Sequence, residues 1–290
     1  MADIRLIRRR IKGVQSIAKI TRAMEMIATS KMRRTQERGL AGRPYSEKIR
    51  QVIADLSALP QTERELHPLL QRRPVSRITV VHITPDRGLC GGLIANMNRR
   101  TGNFILEQEA PVSLVCVGRK GLDFMRRSSR DIRAEFTWIG DSPSYLDTLP
   151  ISRIIIDDYT NNVIDAAYLA YTQFVTTMLQ RPVVQPILPV EPAEIPQEQN
   201  VDYIYEPGPD AVLEGLLPRF VEMQIYHAIL EAIASEQSAR MVAMRNATEN
   251  AGELIDDLTL MYNKARQEAI TKELLDITGG VEALSGKETQ

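Results

Sequence analysis

Gly88, Gly91 and Gly92 lie between a β-branched run and a helical stretch, a setting in which backbone amides can cradle a phosphate. Their spacing does not fit a dinucleotide turn, and no acidic residue follows where one would hold a ribose. They therefore read as tight-turn residues. The chain has no Walker-type phosphate loop and no GxSxG elbow. Its two cysteines, Cys90 and Cys116, form no CxxC pair, which excludes a disulfide scaffold and a multi-cysteine zinc site. His67, His82 and His227 are scattered and place no two ligands on one helix face. No catalytic, cofactor-binding or metal-binding residue is expected.

The charges are more informative. Over 290 residues the net charge is −1, yet residues 1–50 hold fourteen basic against four acidic side chains, a surplus of ten. Such asymmetry marks a basic arm that meets an acidic or polyanionic partner. Arg8, Arg9, Arg10, Arg33 and Arg34 are the candidates for that contact, because consecutive charges ring a helix and cannot all face one partner helix. A hydrophobic share of 43% and a charged share of 25% are those of an ordinary globular chain. No apolar run approaches the roughly 18 residues of a membrane span, and the N-terminus lacks an apolar signal core.

The elements that must carry these residues follow from periodicity. Ile4, Ile7, Ile11 and Val14 line one helix face, and Ile17, Ile20, Met24 and Ile27 are expected to continue it with a drift at the Val14–Ile17 join. Near the other end, Ala247, Ala251, Leu254, Leu258, Met261, Ala265 and Ala269 form a second stripe. A helix from residue 210 to 276 would be about 100 Å long, which reads as coiled coil. Between the ends the period changes. Residues 77–83 and 112–117 are runs of buried-strand type, 93–107 reads as a helix, 151–159 as a helix and 166–174 as a strand, so the middle is an α/β sheet. Pro182, Pro186, Pro189, Pro192 and Pro196 are expected to punctuate the exit from it. The expected fold is thus α/β plus long α: an antiparallel coiled coil of N- and C-terminal helices with an inserted Rossmann-like α/β domain. Its expected parts are a shaft from 1–58 and 208–290, an α/β domain over 75–195 and a foot loop over 196–207.

Four blocks in this order resemble the gamma subunit of F-type ATP synthases over essentially the whole chain. They are residues 19–33 (KITRAMEMIATSKMR), 86–92 (DRGLCGG), 234–248 (ASEQSARMVAMRNAT) and 262–274 (YNKARQEAITKEL). Pro85 stands where the family usually has Ser, and Val281 where Ala is usual. The regulatory cysteine pair of the photosynthetic branch is missing, so the resemblance is to the bacterial type.

That resemblance implies a rotor, turning within three alpha and three beta subunits, with the epsilon subunit and the membrane c-ring as further partners. It implies no active site in this chain, no cofactor, no nucleic acid, and a peripheral place on the cytoplasmic face of a bacterial plasma membrane, held only through the complex. It further implies beta-subunit contacts at Met24, Arg266, Gln267, Thr271 and Glu273, and a c-ring and epsilon foot at Tyr203, Tyr205 and Glu206. Two rivals are a nucleotide-binding α/β enzyme, which would use the glycine loop, and a nucleic-acid-binding coiled coil, which would use the basic arm.

Overall fold

The computed structural model describes residues 2–58, 67–191, 206 and 208–285. The chain divides into two compact units, Ala28–Arg240 and a second formed by Met1–Ile27 with Met241–Gln290. The divide falls inside both long helices, because each helix buries part of its length with the sheet.

In the larger unit, β1 (Ile78–Ile83), β2 (Val112–Val117), β3 (Asp131–Phe136) and β4 (Ala166–Phe174) are parallel, and β5 (Gln180–Leu188) closes the sheet antiparallel to β4, in the order β3-β2-β1-β4-β5. Helices α2 (Leu93–Glu107), α3 (Arg119–Arg127) and α4 (Tyr145–Thr160) connect the strands. Strand parity assigns the two faces. Val80, Leu114 and Cys116 pack with Met97 of α2 and Met125 of α3. Val81, Val115 and Leu169 pack instead with Ile155 of α4, with Ile53 of α1 (Ala2–Ala58) and with Val221 and Ile225 of α5 (Pro209–Ser285). Packing on both faces explains why every residue of β1 is buried, Thr79 and His82 included.

Three elements depart from the periodic reading. β5 contains Pro182 and Pro186 inside a strand, where the prolines were expected to mark an exit. It pairs only with β4, and an edge strand tolerates residues that cannot donate a ladder hydrogen bond. β3 alternates exposed Asp131, Arg133 and Glu135 with half-buried neighbours, and charges on an edge oppose further strand pairing. α3 is nine residues long, too short for a stripe to stand out.

In the smaller unit the N-terminal part of α1 and the C-terminal part of α5 run antiparallel. The Thr21 and Thr248 hydroxyls meet at 2.7 Å, and Arg245 reaches Glu25 at 2.9 Å. The α1 seam runs Ile4, Ile7, Ile11, Val14, Ala18, Thr21 and Glu25, an unbroken 3-4 repeat. Ile17, Ile20 and Ile27 are therefore not in it; they are 54%, 59% and 54% exposed. Small residues Ala18 and Thr21 hold the heptad, so the isoleucines one position away sit about 100° around the helix. On α5 the seam takes Ala251, Ile255, Leu258, Tyr262, Ala265 and Ala269, while Leu254 and Met261 face outward.

Candidate functional site

In doubly wound sheets ligands bind beyond the carboxyl ends of the strands, where strand order reverses; here that place lies between β1 and β4. The glycine loop enters it directly from β1. Leu89 and Gly91 adopt positive φ of 65° and 58°, so the loop is a tight turn, and Gly92 opens α2 with no side-chain cap. The amide that opens α3, and the Trp138 amide, already hold an anion of the chain. Asp86 Oδ1 accepts from the Arg119 backbone N–H at 2.9 Å, at the start of α3, and Oδ2 accepts from the Trp138 N–H at 3.1 Å. A carboxylate of the chain thus takes the position a phosphate would seek at that helix terminus.

Space is also denied. Gly118 has φ +94°, and a Cβ there would lie 1.8 Å from the Thr84 carbonyl oxygen. The cavity alongside holds about 120 Å³ and is lined by Asp86, Asp141 and Glu236 as well as Arg87. Carboxylates in so small a space oppose a polyphosphate. Gly88 contributes its carbonyl, which accepts from Arg240 Nη2 at 3.1 Å. The glycine loop is structural, and this geometry does not support the nucleotide-enzyme rival.

The groups that could act as nucleophile or base are suppressed by burial. Burial raises the Cys90 thiol and pushes Cys116 up to about 12, so thiolates are disfavoured at neutral pH. His82 is fully buried and lowered to about 4 by desolvation, against the Asn98 hydrogen bond. Its Nε2 donates to Asn98 Oδ1 at 2.9 Å, which leaves Nδ1 to accept from the Thr101 hydroxyl at 3.0 Å. It is a satisfied core histidine. Among the described residues no cluster could hold a metal ion, and no helix is long and apolar enough to cross a membrane.

The outer surface of the helical unit is different. Arg8, Arg9 and Arg10 are exposed, as are Arg266, Gln267, Thr271 and Glu273, and Met24 is half-buried beside the seam. Arg33 and Arg34, in the larger unit, are exposed, and so is Glu206; Tyr203 and Tyr205 lie outside the described residues. Residues 271–279 are exposed on every side, a single helix with no neighbour along its length among the described residues. Periodicity missed the apolar side chains on this surface: Ile17, Ile20, Ile27, Leu254, Met261, Ile270, Leu274 and Ile277 are all exposed. The signal was present in the phase, since the heptad of Ile4 to Val14 continues through Ala18 and Thr21 and leaves the isoleucines outside. So many exposed apolar residues on one rod mark a surface built to be covered.

A family model described as ATP synthase matches residues 3–284. An ATP synthase gamma chain from Dehalococcoides mccartyi is 68% identical over 285 residues, covering 98% of this chain and all of the relative. The chain belongs to the ATP synthase gamma-chain family. Another member, from a Roseiflexus species, is 49% identical over 289 residues, covering 98% of this chain and 99% of the relative. Among solved structures, a chain of the Euglena gracilis mitochondrial ATP synthase superposes with a TM-score of 0.67 at 20% identity, covering all of this chain and 97% of that one, a likeness of fold. Membership in the gamma family makes the chain a central-stalk rotor subunit of the ATP synthase.

Proposed function

We propose that this subunit performs no chemistry itself and works as a cam. Its turning inside three alpha and three beta subunits couples proton flow through a membrane c-ring to ATP synthesis or hydrolysis on the beta subunits. The observation that carries this reading is the division of the helical unit into a thin inner seam and an outer surface rich in exposed apolar and basic residues. A two-helix rod continued by the bare residues 271–279 is asymmetric in section, and asymmetry lets one shaft present a different face to each of three identical partners.

The chemistry of that surface suits a contact that must re-form three times per turn. Apolar contact is non-directional and survives sliding. Met24 is unbranched and adaptable. Arg266, Gln267, Thr271 and Glu273 offer exposed hydrogen bonds whose net strength in water is about 1 kcal/mol each, enough to define a dwell and weak enough to break. Arg8, Arg9, Arg10, Arg33 and Arg34 would ride against acidic loops of the surrounding subunits, where screened attraction positions without locking. In this reading the paired helices, within 1–58 and 208–290, are the shaft, and the α/β fold over 75–195 meets the epsilon subunit and the membrane c-ring. The segment 196–207, with Tyr203, Tyr205 and Glu206, meets the c-ring. The complex places the chain peripherally on the cytoplasmic face of a bacterial plasma membrane, without cofactor or nucleic acid.

Low-salt purification of the tagged chain from its native membranes, with mass spectrometry of its companions, tests this reading. Recovery of alpha, beta, epsilon and c subunits together with ATPase activity that the isolated chain lacks is the expected result. Recovery of the chain alone, or with nucleic acid, contradicts it.

A further inference from the structure

Hydroxyl side chains in a helix usually bond the carbonyl four residues back. In α5, Thr248, Thr259 and Thr278 do so, donating to Met244, Ile255 and Leu274. Ser235 and Ser238 behave differently. Both are 0% exposed. Ser235 Oγ donates to the Thr172 carbonyl at 2.9 Å, and Ser238 Oγ donates to the Thr177 carbonyl at 2.7 Å while accepting from Gln180 Nε2 at 3.3 Å. Two residues on, Arg240 pairs with Glu236 at 2.7 Å and donates to the Gly88 carbonyl. On α1, Lys31 reaches Asp141 at 2.6 Å. Gly88 and Asp141 lie in the segments that follow β1 and β3, Thr172 is near the carboxyl end of β4, and Thr177 is in the turn between β4 and β5, so the anchors gather beyond the carboxyl ends of parallel strands.

We propose that Ser235, Ser238, Arg240 and Lys31 form a polar collar that transmits torque between the α/β fold and the long helices. The proposal rests on the rotor reading above. A helix held in its socket only by apolar side chains resists separation but resists twist poorly, because such contacts have no direction. Hydrogen bonds are directional, and the Thr172, Thr177 and Gly88 carbonyls fix the azimuth of α5 against backbone rather than against mobile side chains. Small neighbours, Ala232 and Ala234, bring α5 close enough for a serine to reach across. The three α5 members of the collar lie within the last two turns before Met241, and Lys31 lies one turn after Ile27 on α1, the two places where the compact unit ends.

The test uses the complete synthase in sealed vesicles with Ser235→Ala and Ser238→Ala combined. Alanine favours helix, so α5 itself is not weakened. Amide exchange at residues 176–180 is expected to accelerate by about fivefold per lost hydrogen bond. ATP synthesis against a high ATP to ADP ratio should fall at least severalfold, while hydrolysis by the detached complex, turning without load, stays within twofold of the unmodified level. Ser238→Ala alone should show the same split at smaller size and keeps the test open if the double variant does not assemble. Synthesis and hydrolysis falling together, or faster exchange with synthesis unchanged, overturns the collar. An unmodified complex that makes no ATP from a proton gradient overturns the rotor reading, and the collar with it.

Discussion

Gly118 and Gly140 form a matched pair that separates backbone strain from crowding. Both sit at positive φ, 94° and 91°, where an L side chain is disfavoured. A Cβ at Gly140 meets nothing within 4 Å, whereas one at Gly118 would lie 1.8 Å from the Thr84 oxygen and 2.8 Å from its carbon. Alanine at Gly140 should therefore cost only the conformational part, about 1–2 kcal/mol. At Gly118 the same part is joined by overpacking of a rigid backbone, another roughly 1–3 kcal/mol, for roughly 2–5 kcal/mol in all. The Gly118 N–H also donates to the Phe136 carbonyl at 2.7 Å, so displacing the turn strains the β2–β3 pairing as well. Urea unfolding of the two purified variants against the unmodified chain measures both terms. Equal losses for Gly118→Ala and Gly140→Ala would refute the claim that the turn after β2 is packed against Thr84.

Leu258 lies in the seam and is 8% exposed, so Leu258→Pro should cost about 3 kcal/mol or more and abolish coupled ATP synthesis; normal coupling in that variant refutes the shaft. Leu258→Ala should lower stability by about 2 kcal/mol, since a two-helix seam encloses a side chain less fully than a core. Leu254→Ala, at a residue 47% exposed, should cost under about 1 kcal/mol, which thermal unfolding of the two variants compares directly. His82 sets an acid limit. Its folded value of about 4 lies below the usual 6.5, so the unfolded chain binds the extra proton between them and stability falls as pH drops through that window. The loss amounts to about 3 kcal/mol by pH 4, and His82→Gln should flatten the pH dependence of urea unfolding over that range.

Much of the architecture could be read from the residues because its signals are local. β1, β2 and β4 are β-branched or apolar runs, and both long helices carry a repeat over many turns. What escaped depended on the partner of each element. Nothing in 180–188 marks it as an edge strand that can accept Pro182 and Pro186, and the alternating charges of β3 make sense only once it pairs on one side. In α1 the larger Ile17 and Ile20 lie outside the seam while the smaller Ala18 and Thr21 hold it, because the phase of the repeat and not side-chain size decides which face is covered. The glycine loop was legible as a turn, but the bonds from the Arg119 and Trp138 amides to Asp86 join residues 33 and 52 positions apart and have no local signature. The collar serines were visible only as small residues; that their hydroxyls leave the helix is a fact of packing.

Rotation itself is the central claim, and it can be watched directly. The assembled complex would be fixed to a surface through its beta subunits, a probe attached to the α/β fold of this chain, and the probe followed while ATP is hydrolysed. The account predicts unidirectional turning with three dwells per revolution. ATP hydrolysis at a normal rate beside a stationary probe would contradict it.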